Sequence, residues 1–238
     1  MVSALTAPVL FVAADPRECI PWVNRWSNVR ELALPVHWAR TGTWQGQEMI
    51  AIANGAGWQR AAAAAQAVPA PRAVYNIGFC GALDPSLQIG DVFLASEVYS
   101  DGLRYAVCQP VLTLSEGERG RTGPLISVSK IAQTAAEKNN LRQSGALVVE
   151  MEAAGVARAS EGTGVAFYCI RAVSDLAEED FANDFNHFLM PDGRFNVLRL
   201  IIGALGSPVA RFGELLRLSR RTALASKNLG EFLANCSY

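Results

Sequence analysis

The sequence predicts an α/β fold, a single domain whose central mixed, mainly parallel sheet is flanked by helices. Three observations lead there. Apolar, β-branched runs recur at PVLFVA (8–13), EMIAIAN (48–54), AVYNIG (73–78), DVFLASEV (91–98), ALVVE (146–150) and VAFYCIRAVSD (165–175). Helix-forming segments separate several of them, and such alternation is the signature of βα units. The chain is 238 residues long and 50% hydrophobic, which suits one large domain, spanning residues 1–238, with a substantial core.

Taken in order, the segment MVSALTAPVLFVAADPRE reads as a first strand. No basic residue precedes its apolar run, and Asp15-Pro16-Arg17-Glu18 stands where a signal peptide would have small residues. No apolar run reaches the roughly 18 residues needed to span a bilayer, so a cytoplasmic location is expected. A helix is expected over Trp58–Val68, with its five-alanine run, then others over Ser129–Arg142 and Met151–Ser160. Tyr99–Gly123 is polar and contains glycine, which reads as a loop excursion. Beyond Asp175 come the acidic stretch LAEEDFANDF, a turn at MPDGRFN and an amphipathic C-terminal helix at about 208–235. That helix mixes Val209, Phe212, Leu215, Leu216 and Leu218 with Arg211, Arg217, Arg220 and Arg221. It reads as a core-packing helix with a solvated basic face, or as one lying on an anionic membrane.

A net charge of −1 gives no footprint for nucleic acid. Five cysteines, Cys19, Cys80, Cys108, Cys169 and Cys236, are widely spaced without a CxxC pair, which argues against a disulfide framework or a zinc ribbon. With only His37 and His187, most histidine-based metal sites are excluded. No metal is expected.

Chemistry-bearing residues gather at strand ends, where α/β sheets open their crevices: Asp15–Glu18, Asn54–Gly57, Gly78–Gly81, Glu150–Glu152 and Ser174-Asp175. Glu150-Met151-Glu152 is the most pointed of these. A strand that hands over to a helix turns one of two nearby carboxylates toward a ligand, while the other can favour the helix dipole. Asn54-Gly55-Ala56-Gly57 is not a dinucleotide fingerprint, and no GxxxxGK[ST] loop occurs. Cys80 lacks a placed base and reads as buried and inert. Asp175 reads either as a general acid or as a helix cap.

GFCGALDPSLQIGDVF, VVEMEAAGVA and CIRAVSDLA, in this order and spacing, resemble the nucleoside phosphorylase and nucleosidase family over nearly all of residues 8–190. That family includes purine nucleoside phosphorylases and methylthioadenosine/S-adenosylhomocysteine nucleosidases, and it cleaves the bond between a nucleobase and C1′ of ribose. The resemblance implies that Glu152 grips the ribose hydroxyls and Met151 packs on the sugar, with Glu150 bracing the turn or the next helix. Asp175 would protonate the purine at N7, placed by Ser174, and Arg171 would support the nucleophile side. Glu18 falls where the nucleosidases activate water. Phe79 and Gly81 of the glycine turn join the substrate-binding set.

Two departures bear on the nucleophile. The phosphorylases carry Ser and Arg where this chain has Phe79 and Asn76, and both are better phosphate ligands than their replacements. This favours water. Against it, Ala14-Asp15-Pro16-Arg17 is similar to the family's phosphate loop, which leaves Arg17 as a candidate phosphate ligand and phosphate as a co-substrate alternative. No other cofactor is implied. TAAEKNNLRQSGALVVEMEAAGVARA, MPDGRFN and the Arg-rich helix are similar to hopanoid-biosynthesis phosphorylases, which act on adenosylhopane. The expectation is therefore release of adenine from a 5′-substituted adenine nucleoside, with adenosylhopane preferred. Trp22, Trp26 and Phe79 would help to line an apolar channel, and the basic helix would make peripheral membrane contact. Methylthioadenosine/S-adenosylhomocysteine nucleosidase, phosphate-dependent phosphorylase and non-catalytic nucleoside binder are the alternatives. The resemblance also implies a homo-oligomer.

Overall fold

The protein is described by a computed structural model covering residues 7–110, 120–196 and 211–238. Ten strands form one mixed sheet: β1 (Val9–Ala13), β2 (Ser27–Glu31), β3 (Trp38–Trp44), β4 (Gln47–Ala53), β5 (Ala73–Ala82), β6 (Val92–Ser100), β7 (Leu103–Ala106), β8 (Arg121–Ser127), β9 (Val148–Glu150) and β10 (Ala166–Asp175). The helices are α1 (Pro16–Val23), α2 (Trp58–Gln66), α3 (Ala135–Arg142), α4 (Ala153–Ser160), the short α5 (Phe185–Phe188) and the long α6 (Gly213–Ala234).

The runs expected to be buried strands are strands. β1 is buried at every residue, and so is β4 except at Glu48, because a strand covered on both faces has no polar side to show. The strands outside these runs differ: β2, β3 and β7 pair antiparallel, whereas β8 lies parallel between β6 and β9. β2 is exposed along its whole length, and β2–β3 and β3–β4 pair antiparallel at the edge of the sheet. The expected excursion over Tyr99–Gly123 instead holds a hairpin: β6 turns through Asp101-Gly102, both at positive φ, into β7. β8 then begins at Arg121, and residues 111–119 of that stretch lie outside the described residues.

The helix expected over Ser129–Arg142 is confined to α3, which starts at a Thr134/Glu137 capping box. α1 was likewise unread. Asp15 and Glu18 form its capping box and Pro16 stands at its first position. The C-terminal helix runs over Gly213–Ala234, and residues 197–210, Val209 among them, lie outside the described residues. None of the described helices is long and apolar enough to cross a membrane.

Two cores fill the two faces of the sheet. One packs the alanines of α2 and α4 against β1, β5 and β10; the other packs α1 and α6 around Phe11, Trp22, Trp26 and Tyr75. Trp22 and Trp26 are sealed in that second core, where Trp22 stacks on Tyr238 and meets Phe11 and Trp44 edge-on, and Trp26 lies tilted against Phe11. The expectation that they line a substrate channel therefore fails, because both indoles serve as core.

β5 positions the site. Along one edge it pairs throughout with β10. Along the other its first residues, Ala73–Asn76, pair with β1, and its last two, Gly81 and Ala82, pair with β9. Between these partners the edge at Ile77–Cys80 faces a gap. β9, β8, β6 and β10 continue the pairing until the ring closes on β5.

Candidate active site

The gap in the β5 edge is filled by a carboxylate. Glu18 is 5% exposed, and its Oε1 accepts the Phe79 N–H at 2.9 Å. Its Oε2 accepts the amides of Ala14 and Asp15, each at 2.9 Å. A carboxylate offers about four lone pairs, so these three bonds fix Glu18 and leave Oε1 able to accept one more proton. Burial raises its pKa, against the pull of the backbone donors and of Arg171. Phe79 thus contributes its main chain to the site, while its half-buried side chain packs against the tryptophan core.

Arg171 lies directly across from Gly78 in the β10–β5 pairing and is fully buried. Its two Nη groups are committed: they bond Glu150 and Asn76, donate to the Ile77 carbonyl at 3.3 Å, and stand 3.7 Å from Glu152, while the buried Nε has no hydrogen-bond partner among the described residues. Burial opposes its charge, but Glu150, Glu152 and Glu18 outweigh that cost and raise its pKa further. Gly78 is required by crowding here, since a Cβ would fall 2.5 Å from Arg171 Nη1 and 2.8 Å from Glu18 Oε1. Asn76, fully buried, holds the pair from below by donating to the Val12 carbonyl at 3.0 Å.

The two glutamates of the Glu-Met-Glu stretch divide their work. Glu150 accepts the amides of Glu152 and Ala153 and so caps α4. Glu152 is freed from capping and reaches the other way, accepting the Gly57 N–H at 3.0 Å. Its pKa is raised to about 8, first by burial and then by the neighbouring Glu150, which holds Arg171 more closely than Glu152 does. Gly57 and Met151 line a cavity of about 310 Å³, together with Ser129, Leu189, Met190 and Pro191. The last two belong to the MPDGRFN turn, which docks through Ala56 N to the Gly193 carbonyl (2.8 Å) and Arg60 Nη2 to the Pro191 carbonyl (2.6 Å). A larger open groove of about 520 Å³, near His37 and Asn54, has no carboxylate in its lining and lies off the chemistry.

At the end of β10 a register shift between Val173 and Asp175 re-aims the chain. Asp175 is 9% exposed and lies over Gly81, where a Cβ would come within 2.8 Å of its Oδ1. Gly81 therefore serves the site by leaving room. Ser174 Oγ sits 3.0 Å from Asp175 Oδ2 and 3.2 Å from the Cys80 carbonyl, its one hydrogen shared between two acceptors. The unforeseen partner is Lys138, which donates to Asp175 Oδ1 at 2.6 Å. Nothing in the polar run AAEKNNLR distinguishes this lysine; only the packing of α3 does.

Arg17 is turned away from these groups. Its guanidinium forks onto Asp15 at 2.8 and 3.0 Å on an exposed stretch. Cys80 is buried and burial holds its thiol well above its ordinary pKa, so it is no nucleophile. Among the described residues no group of three His, Cys, Asp or Glu side chains could hold a metal ion.

A profile of the family described as "Phosphorylase superfamily" matches residues 31–117 and 98–201. A 5′-methylthioadenosine/S-adenosylhomocysteine nucleosidase from Halalkalibacterium halodurans is 28% identical over 213 residues, covering 77% of this chain and 92% of the relative. Among solved structures, futalosine hydrolase of Helicobacter pylori superposes with a TM-score of 0.71 at 15% identity, covering 97% of each chain. The Helicobacter pylori 5′-methylthioadenosine/S-adenosylhomocysteine nucleosidase, bound to a pyrrolidine-based ligand, gives 0.70 at 15% identity over 96% of each chain. The chain belongs to the phosphorylase superfamily and is an enzyme that cleaves N-glycosidic bonds.

Proposed function

We propose that this enzyme hydrolyses a 5′-substituted adenine nucleoside, with water as the nucleophile and adenine as the leaving base. The observation that carries the choice of water is the state of Arg171. Its charge is balanced by Glu150, its Nη2 is held between Glu150 and Asn76, and Glu18 is fixed beside it. A phosphate dianion entering there would meet carboxylates and no uncommitted cation, whereas a water molecule would meet a base with an open lone pair.

In this reading Glu152 grips the ribose hydroxyls, Met151 packs on the sugar, and Glu18 takes the proton of the attacking water. Cleavage passes through an oxocarbenium-like sugar, which the surrounding carboxylates favour, while the base gains negative charge that a proton at N7 relieves. Asp175 and Ser174 serve that end. No cofactor enters the scheme.

The substituent at C5′ is proposed to be apolar, because Met151, Leu189, Met190 and Pro191 line the cavity beside Glu152. At about 310 Å³ the cavity is at the small end of ligand pockets, so a large tail must extend beyond it. Adenosylhopane is the preferred substrate of this kind. The similarity to a methylthioadenosine/S-adenosylhomocysteine nucleosidase supports the second reading, a methylthio or homocysteinyl group in the same place.

For α6, exposed Leu216 and Leu224, with Phe212 just before the helix, beside exposed Arg217 and Arg220 support peripheral contact with an anionic bilayer. Failure to sediment with anionic vesicles at low salt would refute that contact. We take the chain to act as one domain and, by virtue of exposed Trp58 and Leu103, as a homo-oligomer, which sedimentation equilibrium tests.

The deciding assay is adenine release from methylthioadenosine and from an adenosylhopane analogue, with and without phosphate. Adenine and a free ribose end formed without phosphate are expected. Strict phosphate dependence with a ribose 1-phosphate product would overturn the reading, and binding without release would mean a nucleoside binder.

A further inference from the structure

α3 buries one residue completely, and that residue is a lysine. Lys138 is 1% exposed, and its ammonium is held on three sides. It donates to Asp175 Oδ1 and to the Leu176 carbonyl, both at 2.6 Å, and faces the Phe181 ring at 5.0 Å. Burying an ammonium with a carboxylate costs desolvation that the pair recovers only with good geometry, so it is poor evidence for stability alone. A proton-bearing group at hydrogen-bond distance from a candidate acid is a different matter. The acid required at Asp175 meets the base as a carboxylate whose Oδ1 already accepts a proton donor.

We infer that Lys138 is a positioning residue that supplies, through Asp175, the proton taken by the departing base. The inference rests on the reading that Asp175 faces N7 of the purine. The Nζ–H bond of Lys138 breaks and its proton passes to the Asp175 carboxylate, leaving a neutral amine and a neutral acid. Asp175 gives that proton to N7 as the C1′–N9 bond breaks and its electron pair moves into the base. The oxygen of water bonds C1′ and its proton goes to Glu18. Glu18 then releases a proton and Lys138 takes one up, so each turnover consumes one water.

The other charged or titratable groups around this pair are engaged elsewhere. Arg221 of α6 acts on Asp175 only through its field and is forked onto Glu179 at 2.5 and 2.9 Å. Glu179 is held ionised by that fork. Asp180 accepts the Ala135 amide at the start of α3, and burial keeps the Cys80 thiol protonated. Lys138 is thus the donor in contact with the Asp175 carboxylate besides the Ser174 hydroxyl.

The experiment compares wild type, Lys138→Arg, Lys138→Met and Asp175→Asn on two substrates. One is a purine nucleoside that wild type cleaves; the other is 4-nitrophenyl riboside, whose leaving group departs as a stable anion and needs no proton. Arginine keeps the cation but cannot release its proton. Lys138→Arg should lower kcat on the purine nucleoside by about 100-fold with KM within about threefold, while 4-nitrophenyl riboside cleavage stays within about threefold of wild type. Lys138→Met should show the same split, with purine cleavage recovering as pH falls and Asp175 draws its proton from solvent. Melting curves establish that each variant is folded, and Lys138→Arg carries the test if Lys138→Met is not. Equal losses on both substrates, or purine cleavage by Lys138→Arg at the wild-type rate, would overturn the inference. With Asp175→Asn crippled and Lys138→Arg intact, this inference fails alone; with Asp175→Asn intact on the purine, the placement of Asp175 fails as well.

Discussion

Arg171 and Asp175 stand four residues apart on one strand, and each is the centre of an opposite arrangement. Around Arg171 one cation is faced by three carboxyl groups, Glu18, Glu150 and Glu152. Around Asp175 one carboxylate is met by one buried ammonium. The first arrangement carries an excess of negative charge, and the Nη groups of its one cation are already engaged. The second is balanced and holds a mobile proton. A glycosidic bond that breaks sends positive charge to the sugar and negative charge to the base. The difference between the two ends therefore matches the charge separation of the reaction, and strand β10 sets the spacing between them.

The strongest way to break the comparison is to remove its first centre. Arg171→Met leaves three buried carboxyl groups without their cation and should cost about 3–5 kcal/mol of stability. Thermal melts check this, and a variant as stable as wild type would mean that the carboxyls are not held by Arg171. Next come Glu18→Gln and Asp175→Asn, each expected to lower kcat on a purine nucleoside by about 10²–10⁴-fold with binding retained. They separate on 4-nitrophenyl riboside: Glu18→Gln should lose that activity too, because water attack is common to both substrates, whereas Asp175→Asn should keep it.

A smaller effect concerns Glu152. Its pKa of about 8 in the folded protein lies above the 4.5 of an unfolded chain, so the native state binds the proton more tightly. Its contribution is complete below pH 4.5 and is lost as pH rises through 8, so stability falls across that window. Glu152→Gln should flatten the fall in Tm between pH 5 and pH 8, and parallel curves for the two proteins would refute it. The smallest effect is expected at Arg17. With its guanidinium forked onto Asp15, Arg17→Ala should change the rate by less than about twofold, with or without phosphate.

How much of this could be read in the sequence depends on burial. β1, β4, β5 and β10 announce themselves as continuous apolar runs because both faces of the sheet are covered. β2 does not, since SNVRE is exposed at each position and has no pattern to read. Its neighbours β3 and β4 turn through Gln45-Gly46, and β6 and β7 through Asp101-Gly102, all four at positive φ. The second pair was a legible hairpin signal, hidden in a stretch that looked polar throughout. In the site, a strand meeting a helix drew attention to Glu150 and Glu152, and their division of roles came from family resemblance. Glu18, Arg171 and Asp175 were picked out as a set by family resemblance. Lys138 was beyond reach, because a lysine in a polar helix is ordinary until a contact 37 residues away in sequence gives it a partner.

The divided edge of β5 has a consequence for how the molecule folds. Glu18 reaches Phe79 across 61 residues, and Arg171 reaches Asn76 across 95. Contacts of such separation form late, since loop closure must be met before they reward the chain. β10 is the last strand among the described residues and closes the ring onto β5. A nascent chain that has not yet made β10 holds Glu18, Glu150 and Glu152 without the arginine they share, and lacks Asp175 as well. Arg171 and Asp175 arrive together, on one strand, when the ring of strands closes.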